Sequence, residues 1–186
     1  MKELSLNILD IAENSVKANA TLTQIILKED ADTITISIID DGKGMSEEIL
    51  RGVIDPFYTT RTTRKVGLGL PLLKMAAEQT GGEMKISSKQ ATDESKEHGT
   101  SVTATFNKNH LDFTPLGDVA STIVTLIQGH PDTDFYFEHT YLQNSVNFDS
   151  REVRQVLGPE IPLNEYEILE WISNTLEEQY KNLYKV

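Results

Sequence analysis

The spacing of apolar residues predicts helices and strands along most of the chain. Leu4, Ile8 and Ile11 recur as on one face of a helix, which should end at Asn19 because asparagine tolerates a left-handed conformation. The segment 33–40 alternates isoleucine with polar residues, which is typical of a half-buried strand. The predicted helices are 3–18, 46–52, 68–80, 116–128, 150–157 and one from 164 onwards, and the predicted strands are 23–29, 33–40, 84–88, 99–106, 134–139 and 141–148.

The charge balance changes after residue 106. Residues 1–106 carry 12 basic and 16 acidic side chains, whereas residues 107–186 carry 5 and 13. We therefore expect two parts, a domain over 1–106 and an acidic α+β extension over 107–186. Within the extension, Asn164 and Glu167 have the spacing of a capping box, which predicts that the last helix begins there.

Composition and charge exclude several classes of protein. Of the 186 residues, 38% are apolar and 25% are charged, as in soluble globular proteins. A net charge of −12 argues against nucleic acid or an anionic membrane as the main partner. The absence of cysteine excludes disulfides and thiolate metal sites. Neither a signal peptide nor an apolar run of about 20 residues is present, so we expect a cytoplasmic protein.

A first candidate segment lies on the N-terminal helix. Asp10, Asn14 and Lys17 are spaced i, i+4 and i+7, so they share one helical face. A carboxylate, an amide and an ammonium on one stripe could hold a hydrated metal and phosphates. Taken alone, the same stripe is more typical of a solvated helix face, since most charged stripes lie at the surface.

Two further segments are rich in glycine. Asp40–Gly44 follows a predicted buried strand, where glycines allow close approach of a ligand and a carboxylate can accept a hydrogen bond from an adenine amine. An ordinary strand-to-helix turn has the same residue types. Gly67–Leu70 opens the predicted helix 68–80, whose N-terminal N–H groups favour phosphate. The preceding residues 58–66, rich in Thr, Arg and Lys, are expected to form a mobile cover over an anion.

Together, in this order, the segments resemble the ATP-binding domain shared by DNA gyrase, MutL, the histidine kinases and the anti-sigma-factor kinases, the GHKL superfamily. The resemblance covers roughly residues 1–106. The matching motifs are an N box at Asp10–Thr21, DxGxG at Asp40–Gly44, an F box at Asp55–Thr60, GLGL at Gly67–Leu70 followed by Lys74 and Gly81-Gly82, and a Gly-Thr at Gly99-Thr100.

This resemblance implies a two-layer α/β sandwich with a mixed sheet, and ATP and Mg2+ as ligands. Asn14 would ligate Mg2+ and Asp40 would bind the adenine amine. Asp10 would be the catalytic residue that activates water or a hydroxyl. The other implied ATP-binding residues are Lys17 at phosphate, Gly42 and Gly44 beside the base, Gly67, Leu68, Gly69 and Leu70 at the phosphate-binding helix end, Thr100 in support of Asp40, and Met45, Phe57, Thr59 and Arg61 around the nucleotide.

Position 10 departs from the pattern of the superfamily. Members that hydrolyse ATP carry Glu there and histidine kinases mostly Asn, whereas Asp is one methylene shorter than Glu and reaches less far. None of the four histidines, His98, His110, His130 and His139, has the neighbours of a phospho-accepting histidine, and no helix pair precedes residue 3. We therefore expect a chain that is not a complete histidine kinase.

The extension is similar to acidic extensions of stand-alone ATP-binding proteins related to anti-sigma regulatory factors, which implies a protein partner. The resulting hypothesis is an ATP- and Mg2+-binding regulatory protein, a protein kinase or weak ATPase acting on that partner. The alternative is a non-catalytic module whose nucleotide state controls the partner. Whether the chain forms a homodimer is left open.

Overall fold

The computed structural model describes residues 3–53, 68–92, 97–158 and 160–185. Within these ranges the chain forms six helices and six strands. The helices are α1 (Leu4–Lys17), α2 (Glu47–Val53), α3 (Gly69–Gln79), α4 (Val119–Gly129), α5 (Ser150–Leu157) and α6 (Tyr166–Leu183), and the strands are β1 (Leu22–Glu29), β2 (Thr33–Asp40), β3 (Glu83–Lys89), β4 (Gly99–Asn107), β5 (Asp134–Tyr141) and β6 (Asn144–Asp149).

The strands form one mixed sheet in the order β3-β4-β2-β1-β5-β6. β5 is parallel to β1, and the other neighbouring pairs are antiparallel. β5 and β6 come from the C-terminal part of the chain, so the sheet continues across residue 106. The division of the chain at that residue stays a prediction.

The helices cover one face of this sheet. Ile36 and Ile38 of β2, Ile25 of β1 and Phe137 of β5 point to that face and are buried beneath the layer that contains α1, α3, α4 and α6. The opposite face is polar where β2 meets β4, and hydroxyl groups pair there at 3.1 Å, as in Thr35 with Thr105. The expected two-layer α/β sandwich is confirmed.

Helix α1, which carries the first candidate segment, has its expected bounds. Leu4, Ile8 and Ile11 are buried in the core, as their spacing predicts. The chain leaves the helix at Asn19, whose φ of 58° is left-handed. That turn carries the chain directly from α1 into β1, so that α1 lies across β1 and β2.

The start of α6 corrects one prediction. The helix begins at Tyr166 with Glu165 as its N-cap, and no side chain caps it. The Asn164–Glu167 capping box is therefore wrong. The backbone of Glu165 forms the first turn instead, because its carbonyl accepts hydrogen bonds from the N–H groups of Ile168 and Leu169 at 3.1 and 3.0 Å. Within the described residues, no helix combines the length and apolar character needed to cross a bilayer.

Candidate functional site

The carboxylate of Asp40 is held in one orientation at the end of β2. It accepts hydrogen bonds from the Ser15 hydroxyl at 2.8 Å, the Gly42 N–H at 2.9 Å and the Thr100 N–H at 3.2 Å. These donors come from α1, from the glycine loop and from β4. The Ser15 contact uses Oδ2 alone, and a carboxylate oxygen accepts two bonds, so Oδ2 keeps capacity for a further donor.

Polar side chains line one level of the sheet around Asp40. Thr23, Asp40, Thr100 and Ser88 are successive partners across β1, β2, β4 and β3. The Ser88 and Thr100 hydroxyls are 2.9 Å apart, and Ser88 Oγ accepts the Met45 N–H at 2.8 Å. The Thr23 hydroxyl is fully buried and has no hydrogen-bond partner in the described structure. Buried hydroxyls normally have a hydrogen-bond partner. The Thr23 hydroxyl can therefore still form a hydrogen bond beside Asp40.

The glycines of the second segment are needed for close packing of the backbone. Gly44 has a φ of 65°, and a Cβ there would lie 1.9 Å from the Lys89 carbonyl oxygen. A Cβ on Gly42 would lie 2.9 Å from the Cβ of Ala18. The loop therefore packs closely against the end of β3 and the end of α1. This packing requires glycine at both positions, whether or not the glycines also leave room for a base.

Two side chains without an assigned role anchor this loop. Asp41 accepts the N–H groups of Thr21 and Leu22 at 2.7 and 2.9 Å, and also the Thr21 hydroxyl. Burial raises the pKa of Asp41, but these hydrogen bonds outweigh it and lower the pKa below its usual range. His98 Nδ1 lies 2.7 Å from the Gly42 carbonyl oxygen. The two adjacent carboxylates thus differ in their partners, since Asp41 is held by Thr21 and Leu22 whereas Asp40 is held by Ser15, Gly42 and Thr100.

The N-terminus of α3 lies against Asp10. A Cβ built on Gly69 would lie 3.1 Å from Asp10 Cβ and 3.7 Å from its Oδ2. The first N–H groups of a helix lack partners within the helix, and here Gly69 and Leu70 carry them, because Pro71 has no N–H. No acidic residue lies in the first turn of α3. This helix end can therefore bind an anion, with the exposed Asp10 beside it.

Asn14 and Lys17 differ in their surroundings. Asn14 is half-buried one turn after Asp10. The side chain of Lys17 is 70% exposed, and its Nζ is 3.9 Å from Glu13, which also contacts Nε2 of His130, the residue after α4, at 2.6 Å. Lys17 therefore has an acidic neighbour on its own helix, and its phosphate contact stays a prediction.

The structure joins the predicted residues into two groups along α1. One group surrounds Asp40 near Ser15 and the other surrounds Asp10, and five residues of helix separate them by about 7.5 Å along the axis. Leu70 is buried while Leu68 is 65% exposed. Phe57, Thr59, Arg61 and Gly67, with the expected cover at 58–66, lie outside the described residues.

Sequence reasoning did not find Ser15, Ser88 or Asp41 as parts of this site. Ser15 follows the core-facing stripe of α1, and Ser88 is one of several strand-end polar residues, so nothing in their spacing marks them. The described part of the chain contains no cluster of three or more His, Asp or Glu side chains suited to a metal. Asn14 offers one oxygen ligand, which fits a Mg2+ ion held mainly by phosphate and water.

Comparisons with known proteins identify a family for more than half of the chain. The model of the family described as "Histidine kinase-, DNA gyrase B-, and HSP90-like ATPase" matches residues 2–110. Sensor protein KdpD of Clostridium acetobutylicum is 32% identical over 90 residues, which are 46% of this chain and 10% of that protein. Heme sensor protein HssS of Staphylococcus saprophyticus is 31% identical over 102 residues, 53% of this chain and 21% of that protein. The chain thus spans a tenth to a fifth of these relatives.

A solved structure is similar over more of the chain. The MutL ATPase domain of Aquifex aeolicus, complexed with ADP, superposes with a TM-score of 0.54 at 14% identity and covers 84% of this chain and 69% of that one. At this identity the likeness is one of fold alone. Its coverage exceeds the 109 residues of the family match, so the shared fold includes part of the chain beyond residue 110.

Proposed function

Since this chain belongs to the family of histidine kinase-, DNA gyrase B- and HSP90-like ATPases, we propose that it binds ATP with Mg2+ and regulates a partner protein in the cytoplasm. Its action on that partner is that of a protein kinase or a weak ATPase. One observation carries the proposal, namely that Asp40 and the N-terminus of α3 both lie against α1, Asp40 at Ser15 and the α3 N-terminus at Asp10.

The Asp40 end suits the adenine base. Its carboxylate accepts from Ser15, Gly42 and Thr100 and has capacity for the exocyclic amine of adenine. The neighbouring Thr23 hydroxyl is fully buried and has no hydrogen-bond partner among the described residues, so a water beside the base would satisfy it. Guanine places a carbonyl where adenine has its amine, and a carboxylate would repel it. The Asp40 end is therefore selective for adenine.

The α3 end suits the phosphates. The N–H groups of Gly69 and Leu70 and the positive end of the helix dipole attract negative charge. Asn14, between the two ends, would hold Mg2+, which neutralises phosphate charge. The base of ATP would thus meet a hydrogen-bond acceptor, and its phosphates would meet the positive end of a helix dipole.

Asp10 decides between two modes of action. It contacts the α3 N-terminus, where it could accept a proton from a water or from a hydroxyl of the partner. A second candidate function is a non-catalytic module in which ATP only changes the surface shown to the partner. One observation favours this second function: no hydrogen bond from the described residues orients the exposed Asp10 carboxylate, whereas catalytic bases are usually oriented by another group.

Calorimetric titration tests nucleotide binding. We expect ATP to bind in the presence of Mg2+, and GTP to bind at least about tenfold more weakly because Asp40 rejects its carbonyl. Absence of ATP binding, or equal affinity for both nucleotides, would contradict the proposal. Incubation with ATP labelled on the γ-phosphate then separates the two modes of action, because released phosphate or labelled partner requires chemistry and the module produces neither.

A further inference from the structure

An apolar groove lies between α5 and α6 at the β6 edge of the sheet. Its volume is about 610 Å3, and its walls are mostly carbon. In the sheet order β6 is three strands away from β2, which carries Asp40. The groove is therefore separate from the candidate nucleotide site. The residues that shape it are Phe148, Val153, Val156, Leu157, Ile168 and Trp171.

Helix α6 has two apolar stripes, and the described residues cover only one of them. Leu169, Ile172 and Leu176 are buried in the core. Ile168 and Trp171 face the groove instead, and Trp171 is 53% exposed. Across the groove Val156 of α5 is 86% exposed. Apolar side chains on both walls are thus accessible to a partner.

The rim of the groove is acidic. Asp149, Glu152 and Glu167 contribute carboxylates. Arg151 pairs with Asp149 at 2.6 Å, whereas Glu152 and Glu167 have no ion-pair partner among the described residues. Two carboxylates without an ion-pair partner among the described residues therefore border an apolar floor, and they favour a ligand with positive charges flanking apolar groups.

We propose that this groove binds an amphipathic helix of the partner protein, with aliphatic side chains in the groove and Lys or Arg at its rim. Two helices with an apolar channel between them are the surface on which such a helix docks. A second copy of this chain would bring the same acidic rim and a net charge of −12, so charge disfavours it. The inference states where the partner of the proposed function binds, and it rests on the proposed function for the existence of that partner.

Trp171 reports directly on the groove because it is the single tryptophan of the chain. The probe is a synthetic helical peptide of about 18 residues, five turns, with leucines on one face and lysines on the other. We expect a saturable blue shift of Trp171 emission that weakens as salt is raised. A peptide of the same composition in scrambled order, and one with glutamate for lysine, should leave the emission unchanged.

Two groove variants and two matched controls complete the test. Val156→Asp and Glu152→Lys should each weaken peptide binding about tenfold or more. The control for Val156→Asp is Leu111→Asp, at a residue that is 97% exposed outside the groove. The control for Glu152→Lys is Glu48→Lys on α2. Both controls should leave peptide binding unchanged.

Besides a wild type that does not bind the ordered peptide, three outcomes would overturn the inference. One is equal binding of the ordered and scrambled peptides, and another is equal loss in groove and control variants. The third is a concentration-dependent shift without peptide that Val156→Asp abolishes, since that result assigns the groove to a second copy. ATP affinity is measured on the same samples, so that a wild type that binds ATP but not the ordered peptide counts against the groove alone and not against the proposed function.

Discussion

Gly69 and Asp10 lie in contact, close enough that a Cβ on Gly69 would be 3.1 Å from the Cβ of Asp10. This contact joins α1 to the first turn of α3. It brings the carboxylate of the first candidate segment to the N–H groups of the third, although the two are far apart in sequence. The size of residue 69 therefore controls where Asp10 sits.

Replacing Gly69 with alanine should affect turnover more than stability. At 3.1 Å the added methyl forces Asp10 to move by a few tenths of an ångström, while alanine improves helix propensity by up to about 1 kcal/mol. We expect a melting temperature near that of the wild type and a slower single-turnover rate of ATP hydrolysis. Gly129→Ala, at the end of α4 with no atom within 4 Å of the new Cβ, is the control and should change neither activity nor nucleotide affinity.

Asp10 should limit whatever hydrolysis the protein performs. Asp10→Ala should abolish single turnover and largely keep ATP affinity, because Asn14 is proposed to hold the metal. Asp10→Glu adds a methylene and should raise the rate, since it brings the carboxylate nearer to the phosphate. Equal rates for the wild type and Asp10→Ala would remove Asp10 from catalysis and favour the non-catalytic module.

Substitutions of the adjacent residues Asp40 and Asp41 should have different effects, one on ATP affinity and the other on the stability of the fold. Asp40→Asn keeps an oxygen for the Gly42 and Thr100 N–H groups but loses the charged acceptor for adenine. It should weaken ATP binding by about 1.5–3 kcal/mol. Asp41→Asn loses charge-assisted bonds to Thr21 and Leu22, and we expect it to lower the free energy of unfolding by about 1–2 kcal/mol.

Calorimetry with ATP and chemical denaturation, carried out on both aspartate variants, check this division. The reverse pattern, with Asp41→Asn weakening ATP binding more than Asp40→Asn, would show that the geometry assigns the wrong carboxylate to the base.

Substituting alanine for Gly44 and for Gly81 compares the loss of stability caused by a side chain at two glycines with similar backbone conformation. Both have positive φ, 65° and 76°. A Cβ on Gly44 would lie 1.9 Å from the Lys89 carbonyl oxygen, whereas one on Gly81 meets nothing within 4 Å. Gly81→Ala should cost about 1–2 kcal/mol from backbone strain alone. Gly44→Ala should cost clearly more, as measured by urea denaturation, and equal costs would contradict the close approach of the loop to β3.

A buried ionic network predicts loss of stability in acid. Burial raises the pKa of Glu29, but hydrogen bonds from His139, Lys108 and Tyr184 outweigh it and lower the pKa to about 2 from an ordinary value of 4.5. A carboxyl whose pKa is lower in the folded state stabilises the fold above the unfolded pKa. Up to about 3 kcal/mol should be lost as the pH falls from 4.5 towards 2.

Denaturation at several pH values with Glu29→Gln measures this contribution. The variant should be less stable than the wild type at neutral pH, and its stability should fall less between pH 4.5 and 2. The exposed Glu83→Gln is the control and should keep the pH profile of the wild type. Identical profiles for Glu29→Gln and the wild type would show that Glu29 does not titrate in this range.

The sequence by itself determined the fold and the identity of the motifs. Periodicity placed α1, β1 and β2 within one residue of their bounds, because a buried face imposes a strict spacing on local sequence. It misplaced the start of α6, where a backbone turn at Glu165 replaces the Asn164 cap. The resemblance of the motifs to an ATPase superfamily agrees with the family match over residues 2–110.

Only the tertiary structure decided which side chains meet. The Ser15–Asp40 bond, the contact of Gly69 with Asp10, and the engagement of Asp41 by Thr21 each join residues that are 20 or more positions apart, and no local pattern encodes such pairs. The same holds for β5, whose pairing with β1 extends the sheet into the C-terminal part of the chain. Local spacing reflects which face is buried, whereas a site depends on distances that the packing of α1 against the sheet and α3 sets.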